Sequence, residues 1–426
     1  MHAPHMRACA LLQPCKDARV LTALAVPTYR RLFSAQVISL AGTGLTTVAL
    51  GLLAYDLAGA RAGLVLGTVF AIKMLAYVTV APVAAAVVHA APPRAVLVAA
   101  DLVRVVVVLG LPLVSSVWQV YVLVLVLQAA SAVHTPAYQA ALPQVLQDER
   151  RYTEALSLSR MSEDLEMVLS PLLAAGLLLV VPSSDLFVGT AVGFAVSALL
   201  VARLRLGRPV VLADDVAPFT ERARRGIAQM LRTPALRAVL ALNMAVAAGG
   251  AFVLVQYVVV ARETYSRGEG AAALLMAALG AGSIIVALLL PRALEALPER
   301  ALMLRGGGLL VVATAAVAAA VQIRGTGGLV LVGALFLLVG AGWAAAETPV
   351  GRIITRTTQE QDQPAVFAAQ FSLSHACWLI TYPLAGWIGS RGLGTAALVL
   401  AALSAAALLA TAALWPAQDR AARVAG

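Results

Sequence analysis

Apolar runs of eighteen or more residues recur along this chain from about residue 32 to residue 415. Each run is long enough to cross a hydrocarbon core of ~30 Å as a helix. Backbone N–H and C=O groups in lipid must be satisfied within the protein, so runs of this kind fold as helices packed into a bundle. The alternating segments of ~10 residues that form barrel strands are absent from the sequence. The sequence therefore predicts an all-α membrane protein.

The amino-acid composition supports this prediction. Hydrophobic residues make up 61% of the 426 residues and charged residues only 12%, whereas a soluble domain carries roughly 25% charged residues. The net charge of +10 comes mostly from arginine in the segments between apolar runs, which is typical of cytoplasmic loops that face anionic lipid. We therefore expect the lipid bilayer as a partner and no nucleic acid.

Twelve membrane spans are predicted, in two sets of six. The spans are 32–55, 63–89, 95–114, 118–141, 153–181, 185–203, 235–260, 270–291, 302–321, 327–350, 364–388 and 394–415. The longest polar gap lies between the two sets. The predicted organisation is an N-terminal tail (1–28), a six-helix bundle (29–203), a linker (204–234), a second six-helix bundle (235–416) and a C-terminal tail (417–426).

The distribution of arginine predicts the orientation of the spans. Alternate loops are rich in arginine, and the loops on the opposite side carry only isolated examples: Arg61, Arg262, Arg267, Arg324 and Arg391. Arginine-rich loops stay in the cytoplasm, so both termini are expected to be cytoplasmic. The preference for arginine over lysine is typical of a GC-rich bacterial genome, and the expected location is the bacterial cytoplasmic (inner) membrane.

The two halves of the chain resemble each other in sequence. HTPAYQAALPQ at 134–144 corresponds to ETPVGRIITRT at 347–357. TEALSLSRMSEDLEMVLSPLLAA at 153–175 corresponds to VFAAQFSLSHACWLITYPLAG at 365–386. Parallel six-helix repeats joined by a polar linker are the architecture of major facilitator transporters.

The loop after the second span strengthens this resemblance to the major facilitator superfamily. The sequence PVAAAVVHAAPPR at 82–94 is followed by Asp101-Leu-Val-Arg104, a pattern similar to that of the bacterial branch that exports macrolides and siderophores. The resemblance implies a gating role for Arg94, Asp101 and Arg104, as a latch at the cytoplasmic face. The Asp-Arg pair usual in this loop is His89-Ala90 in this chain, which weakens that implication.

A closer resemblance points to a substrate. The stretches SAQVISLAGTGLTTVALGLLAYDLAGA (34–60), YVLVLVLQAASAVHTPAYQAALPQVL (121–146) and ALSLSRMSEDLEMVLSP (155–171) resemble the nickel and cobalt exporters of this superfamily. Several of those exporters end in a histidine-rich tail, whereas this chain ends in WPAQDRAARVAG. The resemblance implies export of a divalent transition metal.

The ionisable residues inside the spans are candidate site residues, because charge at bilayer depth is costly and by default marks a pathway or a relay. The repeat pairs His134 with Glu347, and Glu163 with His375. All four are predicted to lie about 12–16 Å from the cytoplasmic boundary, at 1.5 Å per residue. Imidazole and carboxylate suit Ni²⁺ and Co²⁺, and protonation would release the metal. Glu166 is a further candidate for substrate binding.

Structural interpretations of the same residues remain open. His134 can instead hydrogen-bond a backbone carbonyl across a helix interface, and His375 can be a structural residue. Lys73, Arg160 and Asp164 are candidates for proton coupling or charge balance, since Arg160 and Asp164 form an i,i+4 pair. No Walker loop, H-E-x-x-H motif or nucleophile elbow occurs at a sensible place. We therefore expect no enzyme and no cofactor.

The function predicted from the sequence is proton-coupled export of a small solute by a monomer, with nickel or cobalt as the favoured substrate. One alternative is export of hydrophobic drugs or siderophores. That alternative calls for an aromatic-rich cavity, and aromatic residues make up only 5% of the chain. An alternative of another class is a membrane sensor or assembly factor that transports nothing.

Overall fold

The computed structural model describes residues 22–204, 219–359 and 362–415. This part of the chain consists of helices and their connections, with no strand among the described residues. The α-helices are α1 (Pro27–Ala58), α2 (Ala62–Ala90), α3 (Pro93–Gly110), α4 (Val117–Val145), α5 (Glu149–Leu177), α6 (Ser183–Ala202), α7 (Phe219–Arg232), α8 (Pro234–Val259), α9 (Glu269–Ala296), α10 (Glu299–Ala320), α11 (Gly325–Glu347), α12 (Val350–Thr357), α13 (Gln363–Gly389) and α14 (Leu393–Leu414).

Twelve of these helices are long and correspond one to one with the predicted spans. They are α1 to α6 in the first half, and α8 to α11, α13 and α14 in the second. Nine stretches of the described residues are long and apolar enough to cross a membrane, and one of them, Pro27–Val80, contains both α1 and most of α2. The predicted all-α membrane fold is therefore confirmed.

Proline sets several of the helix starts. Pro27, Pro93 and Pro234 are the first residues of α1, α3 and α8. The N–H groups of the first turn have no hydrogen-bond partner within the helix. A proline, which lacks this group, therefore loses no hydrogen bond there. At the other end of α1, Gly59 has φ +53°, a left-handed conformation that favours glycine.

The structure departs from the predicted spans in two places. The predicted linker contains a helix, α7, which packs against α13: a Cβ on Gly226 would lie 2.1 Å from the carbonyl oxygen of Ala365. The predicted span 327–350 ends early, because α11 stops at Glu347 and a new helix begins at Val350. Pro349 lies in the break and cannot donate the hydrogen bond that would continue α11.

The helices form two bundles that meet along two helix pairs. Helices α1 to α6 pack with one another, and α8 to α11, α13 and α14 do the same. The main contacts between the bundles are α2 with α13 and α5 with α9. We call the membrane face where α1 begins and α6 ends the terminus side, and the opposite face the far side.

The two bundles touch closely at the far side. A Cβ on Gly386 of α13 would lie 2.6 Å from the carbonyl oxygen of Gly63 on α2. Gln256 on α8 reaches the first bundle as well, since its Oε1 would lie 2.3 Å from a Cβ on Gly63, and its amide donates to the carbonyl of Ala385 within the second bundle at 2.8 Å. The Tyr55 hydroxyl donates to the Glu263 carboxylate at 2.8 Å. These contacts join the halves at the far side.

Candidate functional site

Three polar side chains of the first bundle lie at one depth. Lys73 comes eleven residues after Ala62, Gln128 eleven after Val117, and Glu166 eleven before Leu177. Each is therefore ~16 Å along its helix from the far-side end, at 1.5 Å per residue. This distance is about half of the ~30 Å hydrocarbon core. We call these three residues the upper tier.

Lys73 and Gln128 line a small cavity between α1, α2, α4 and α6, which has room for about one water molecule in this structure. The lining residues are Thr43, Thr46, Thr47, Leu50, Val69, Phe70, Lys73, Leu127, Gln128, Ser131 and Phe194. Lys73 is half-buried and Gln128 is buried. The described lining thus contains one cationic side chain, several neutral polar groups and no carboxylate.

Glu166 is an acidic residue that acts on this cavity through Lys73. It interacts electrostatically with Lys73, although the described residues give Lys73 no direct hydrogen bond or ion pair. Glu166 Oε1 also lies 2.8 Å from where a Cβ of Gly44 would be, and Ser170 Oγ lies 1.8 Å from that position. Glycine at 44 therefore lets α1 and α5 approach closely enough to seat this carboxylate.

A second polar cluster, which we call the lower tier, lies within the same bundle. It consists of Asp101 and Arg104 on α3 and His134 on α4, all buried. Asp101 Oδ1 accepts a short hydrogen bond from the Arg104 guanidinium, and His134 Nε2 lies 3.7 Å from the same oxygen. The guanidinium also lies 4.5 Å from the centre of the Phe194 ring.

The gating role of Arg94, Asp101 and Arg104 stays a prediction, and the three residues do not lie at one depth. Arg104 comes eleven residues after Pro93, ~16 Å into the bundle, whereas Arg94 is exposed at the start of α3. The contact of His134 with Asp101 was not predicted from the sequence. The sequence held one indication of this contact. His134 lies eleven residues before Val145, so it is as far from the terminus-side end of α4 as Arg104 is from that of α3.

In the second bundle, Glu347 lies at one end of an aromatic column. The Trp343 indole N–H donates to Glu347 at 2.8 Å. The column continues through ring contacts of 4.9 Å from Trp343 to Trp378, 4.9 Å from Trp378 to Tyr382, and 5.1 Å from Tyr382 to Phe70. Phe70 belongs to the first bundle and lines the cavity. Four aromatic side chains therefore form one continuous column between the two bundles, which composition alone does not reveal.

His375 lies where the bundles meet. Its Nδ1 is 2.7 Å from the carbonyl oxygen of Phe371, and its ring centre is 3.9 Å from that of Phe371. The ring of Tyr77, on α2 of the first bundle, lies 6.0 Å from the His375 ring. The roles of His375 as a ligand or as a structural residue both stay predictions.

The four-residue metal site stays a prediction. Among the described residues, no group of three or more His, Cys, Asp or Glu side chains is placed to share a metal ion. The side chain of Glu163 lies outside the described part of the chain, as do those of Arg160 and Asp164. In the structure His134 lies against Asp101, and Glu347 accepts a hydrogen bond from Trp343.

Comparisons with known proteins agree on the fold. The structure is similar to that of the nucleoside transporter NupG (TM-score 0.70, 12% identity, covering 90% of this chain and 98% of that one). It is also similar to a bacterial homologue of the human lysosomal transporter Spinster, in an inward-facing and unoccupied conformation (TM-score 0.67, 13% identity, covering 94% of this chain and 98% of that one). A D-xylose–proton symporter has a TM-score of 0.66 and 11% identity, and the match covers 93% of this chain and 98% of that one. At these identities the likeness shows the fold alone.

The sequence itself identifies the family. No curated protein matches the chain, but the model of the Major Facilitator Superfamily matches residues 32–381, which is most of its length. Members of this family are typically transporters and not enzymes. From the twelve long helices in two bundles, the polar residues at mid-depth and this match, we conclude that the chain belongs to the Major Facilitator Superfamily of membrane transporters.

Proposed function

We propose that this chain is a proton-coupled secondary transporter that exports a small organic solute from the cytoplasm. The observation that carries the proposal is the cavity beside Lys73, which lies at mid-depth and combines an ammonium group with aromatic and aliphatic walls. Small-molecule sites are mostly apolar clefts with a few well-placed polar groups, and transporters of this architecture hold their substrates near the bilayer midplane.

Proton coupling is assigned to the upper tier. Lys73 and Glu166 are opposite charges at one depth on α2 and α5. These two helices also make the main contacts with the second bundle. A change in the protonation of Glu166 alters the electrostatic balance next to both contacts. Protonation of Glu166 can therefore bias the rocking of one bundle against the other.

The direction of loading follows from the contacts at the far side. The halves meet there through Gly63 and Gly386, through Gln256 and through Tyr55 with Glu263. With both termini in the cytoplasm, as the arginine distribution predicts, the joined end faces outwards. A solute would then enter from the cytoplasm, as export requires.

The chemistry of the described lining suits an organic solute better than a bare metal ion, and such a solute would widen the cavity as the two bundles rock. A divalent cation beside Lys73 would meet a like charge, which costs free energy in a medium of low dielectric constant. Transition metals prefer imidazole and carboxylate ligands, and the described lining has neither. Its rings, Phe70 and Phe194, suit an aromatic or branched carbon skeleton.

Nickel or cobalt remains the second candidate, because of the repeat. His134, Glu347 and His375 lie at similar distances from the terminus side: eleven residues before Val145, ten before Thr357 and twelve after Gln363. Alternating access repacks the two halves, so side chains from different bundles can meet in another state of the cycle. A metal site of His134, Glu163, Glu347 and His375 would have to form in that way.

One experiment separates the candidates. Everted membrane vesicles containing the protein are given a proton gradient, which is followed with a pH-sensitive dye. Nickel, cobalt and a set of aryl solutes (an acid, its amide and the matching amine) are added in turn. We expect an aryl solute to change the gradient in wild-type vesicles and to do so far less in Glu166→Gln vesicles.

A response to nickel or cobalt that is lost in Glu347→Ala and His134→Ala would favour the metal candidate instead. Solute movement that is unaffected when an uncoupler collapses the gradient would contradict proton coupling. If neither the solutes nor the metals move in wild-type vesicles, the protein fits the alternative of a sensor or assembly factor.

A further inference from the structure

We infer that the cavity beside Lys73 is a carboxylate-binding site, with the Lys73 ammonium and the Gln128 carboxamide as its two donors. The solute it takes is accordingly a small organic acid whose carbon skeleton packs against Phe70 and Phe194. The inference rests on the proposed function in taking this cavity as the place where the solute binds.

The hydrogen bonds around the cavity show which donors are free. Thr43 donates to the carbonyl of Ser39 at 3.1 Å, Thr47 to that of Thr43 at 3.2 Å, and Ser131 to that of Leu127 at 3.0 Å. These hydroxyl protons are therefore used within their own helices. Of the polar groups in the lining, only Lys73 and Gln128 keep donors to offer a ligand.

Gln128 is the second, independent indication of a ligand. Its side chain is 7% exposed, and it makes no hydrogen bond to any residue that the structure describes. Its amide atoms are not among the fully buried polar atoms that lack a partner, so the amide keeps accessible surface where a ligand in the cavity can reach it. A carboxylate in the cavity would accept from this amide.

Lys73 completes the site. An ammonium group at mid-depth is costly unless it is paired or used. The described residues offer it only the electrostatic interaction with Glu166, without direct contact. Lys73 and Gln128 lie eleven residues along α2 and α4 from the same membrane face, so both donors reach the cavity at one level. Two donors and no acid in the lining select a monoanion.

The apolar side chains of the cavity determine what the non-polar part of the solute is. Phe70, Phe194 and Leu50 border the cavity beside the two donors. When the cavity widens in the transport cycle, a polar head held by Lys73 and Gln128 leaves its carbon skeleton against these side chains, where burial is favourable. A simple inorganic anion would leave this wall uncovered, so the ligand is an amphiphilic acid.

The test measures binding to the full-length protein in nanodiscs, with 4-phenylbutyrate and its neutral amide 4-phenylbutanamide as probes. We expect the wild-type protein to bind the acid at least tenfold more tightly than the amide, and Lys73→Met to abolish that preference. Gln128→Leu should weaken the acid about tenfold, as expected for loss of a hydrogen bond to a charged group.

The matched control is Gln36→Leu. Gln36 is also 7% exposed but lies on α1 outside the cavity lining, so this variant should bind the acid like the wild type. No binding of the acid, equal binding of acid and amide, or equal losses in the Gln36→Leu and Gln128→Leu variants would overturn the inference. Should Lys73→Met fail to fold, the comparison of the two glutamine variants still decides.

The two proposals fail separately. Binding of the acid without any proton-linked movement of it would contradict the proposed function and leave the binding site standing. Proton-linked transport of the amine or the amide, without preference for the acid, would support the proposed function and overturn the carboxylate site.

Discussion

At the scale of single residues, the chain keeps its intramembrane charges in two separate settings. In the lower tier, Asp101 and Arg104 are in direct contact and both are buried. In the upper tier, Lys73 and Glu166 interact without direct contact, beside a cavity. The first arrangement is that of a structural pair, and in the second the Lys73 ammonium borders a cavity where a ligand can reach it.

The lower tier should matter mainly for stability. Asp101→Ala leaves the Arg104 guanidinium buried without its carboxylate, and removal of one member of a buried pair costs about 3–5 kcal/mol. We expect a corresponding drop in the free energy of unfolding, measured by denaturation of the purified protein. Glu221→Ala is the control, because its ion pair with Arg225 is more than half exposed and such pairs contribute under ~1 kcal/mol. Similar losses for both variants would contradict a structural role for Asp101.

Most of the residue-level site lay beyond sequence reasoning. The periodicity and the repeat identified Lys73, Glu166, His134, Glu347 and His375 as candidates and gave their approximate depth. Neighbours across helices depend on how each helix is rotated about its axis, and one chain does not specify this. For that reason the contact of His134 with Asp101 and the isolation of Gln128 emerged only in the structure.

At the scale of elements, helix ends and close approaches define how the bundles can move. The helices α2 and α13 touch through backbone at Gly63 and Gly386. Close approach of this kind requires residues without a Cβ. The break at Pro349 is the other notable element, because it separates α11 from α12 directly after Glu347.

Gly386→Ala should disturb the far-side contact. The added Cβ would lie 2.6 Å from the Gly63 carbonyl oxygen, so α2 and α13 must separate. Spin labels at the exposed positions 61 and 391 should report a longer distance by double electron–electron resonance. Gly308→Ala is the control, since a Cβ there meets nothing within 4 Å. An unchanged distance in the Gly386→Ala protein would show that the glycine contact does not hold the halves together.

The short helix α12 is attached to α10 by two ion pairs. Glu299 lies 3.3 Å from Arg352 Nε and 2.9 Å from Arg356 Nη2. The carboxylate is 9% exposed and the two arginines about 60%, so we expect Glu299→Ala to cost ~1–2 kcal/mol. Faster amide hydrogen exchange in α12, with α14 unchanged, is the expected observation. Equal exchange in both proteins would mean that packing alone fixes α12.

At the scale of the whole molecule, the sequence was informative about architecture. Length and hydropathy of the spans, together with the internal repeat, predicted twelve membrane helices in two sets, because a helix that crosses lipid has few alternatives. The linker helix α7 was missed, since a short amphipathic helix in a polar segment carries no span-length signal. The aromatic column was missed because composition averages over the chain, whereas packing concentrates Trp343, Trp378, Tyr382 and Phe70 in one place.

The substrate is the part that the fold does not specify. One fold serves many solutes, so function has to be argued from the site. The resemblance in sequence favours nickel or cobalt, whereas the described cavity, with its ammonium group and rings, favours an organic acid. Both proposals share one requirement, which is that a charged group at mid-depth links solute movement to protons.

The most direct test of that requirement is the number of protons moved per solute molecule by the reconstituted protein. Solute and proton fluxes are measured together in proteoliposomes for wild-type protein, for Glu166→Gln and for Glu221→Gln, an exposed carboxylate on α7. The account predicts a fixed ratio in the wild-type and Glu221→Gln proteins, and loss of the proton flux in Glu166→Gln. An unchanged ratio in Glu166→Gln would contradict the assignment of proton coupling to the upper tier.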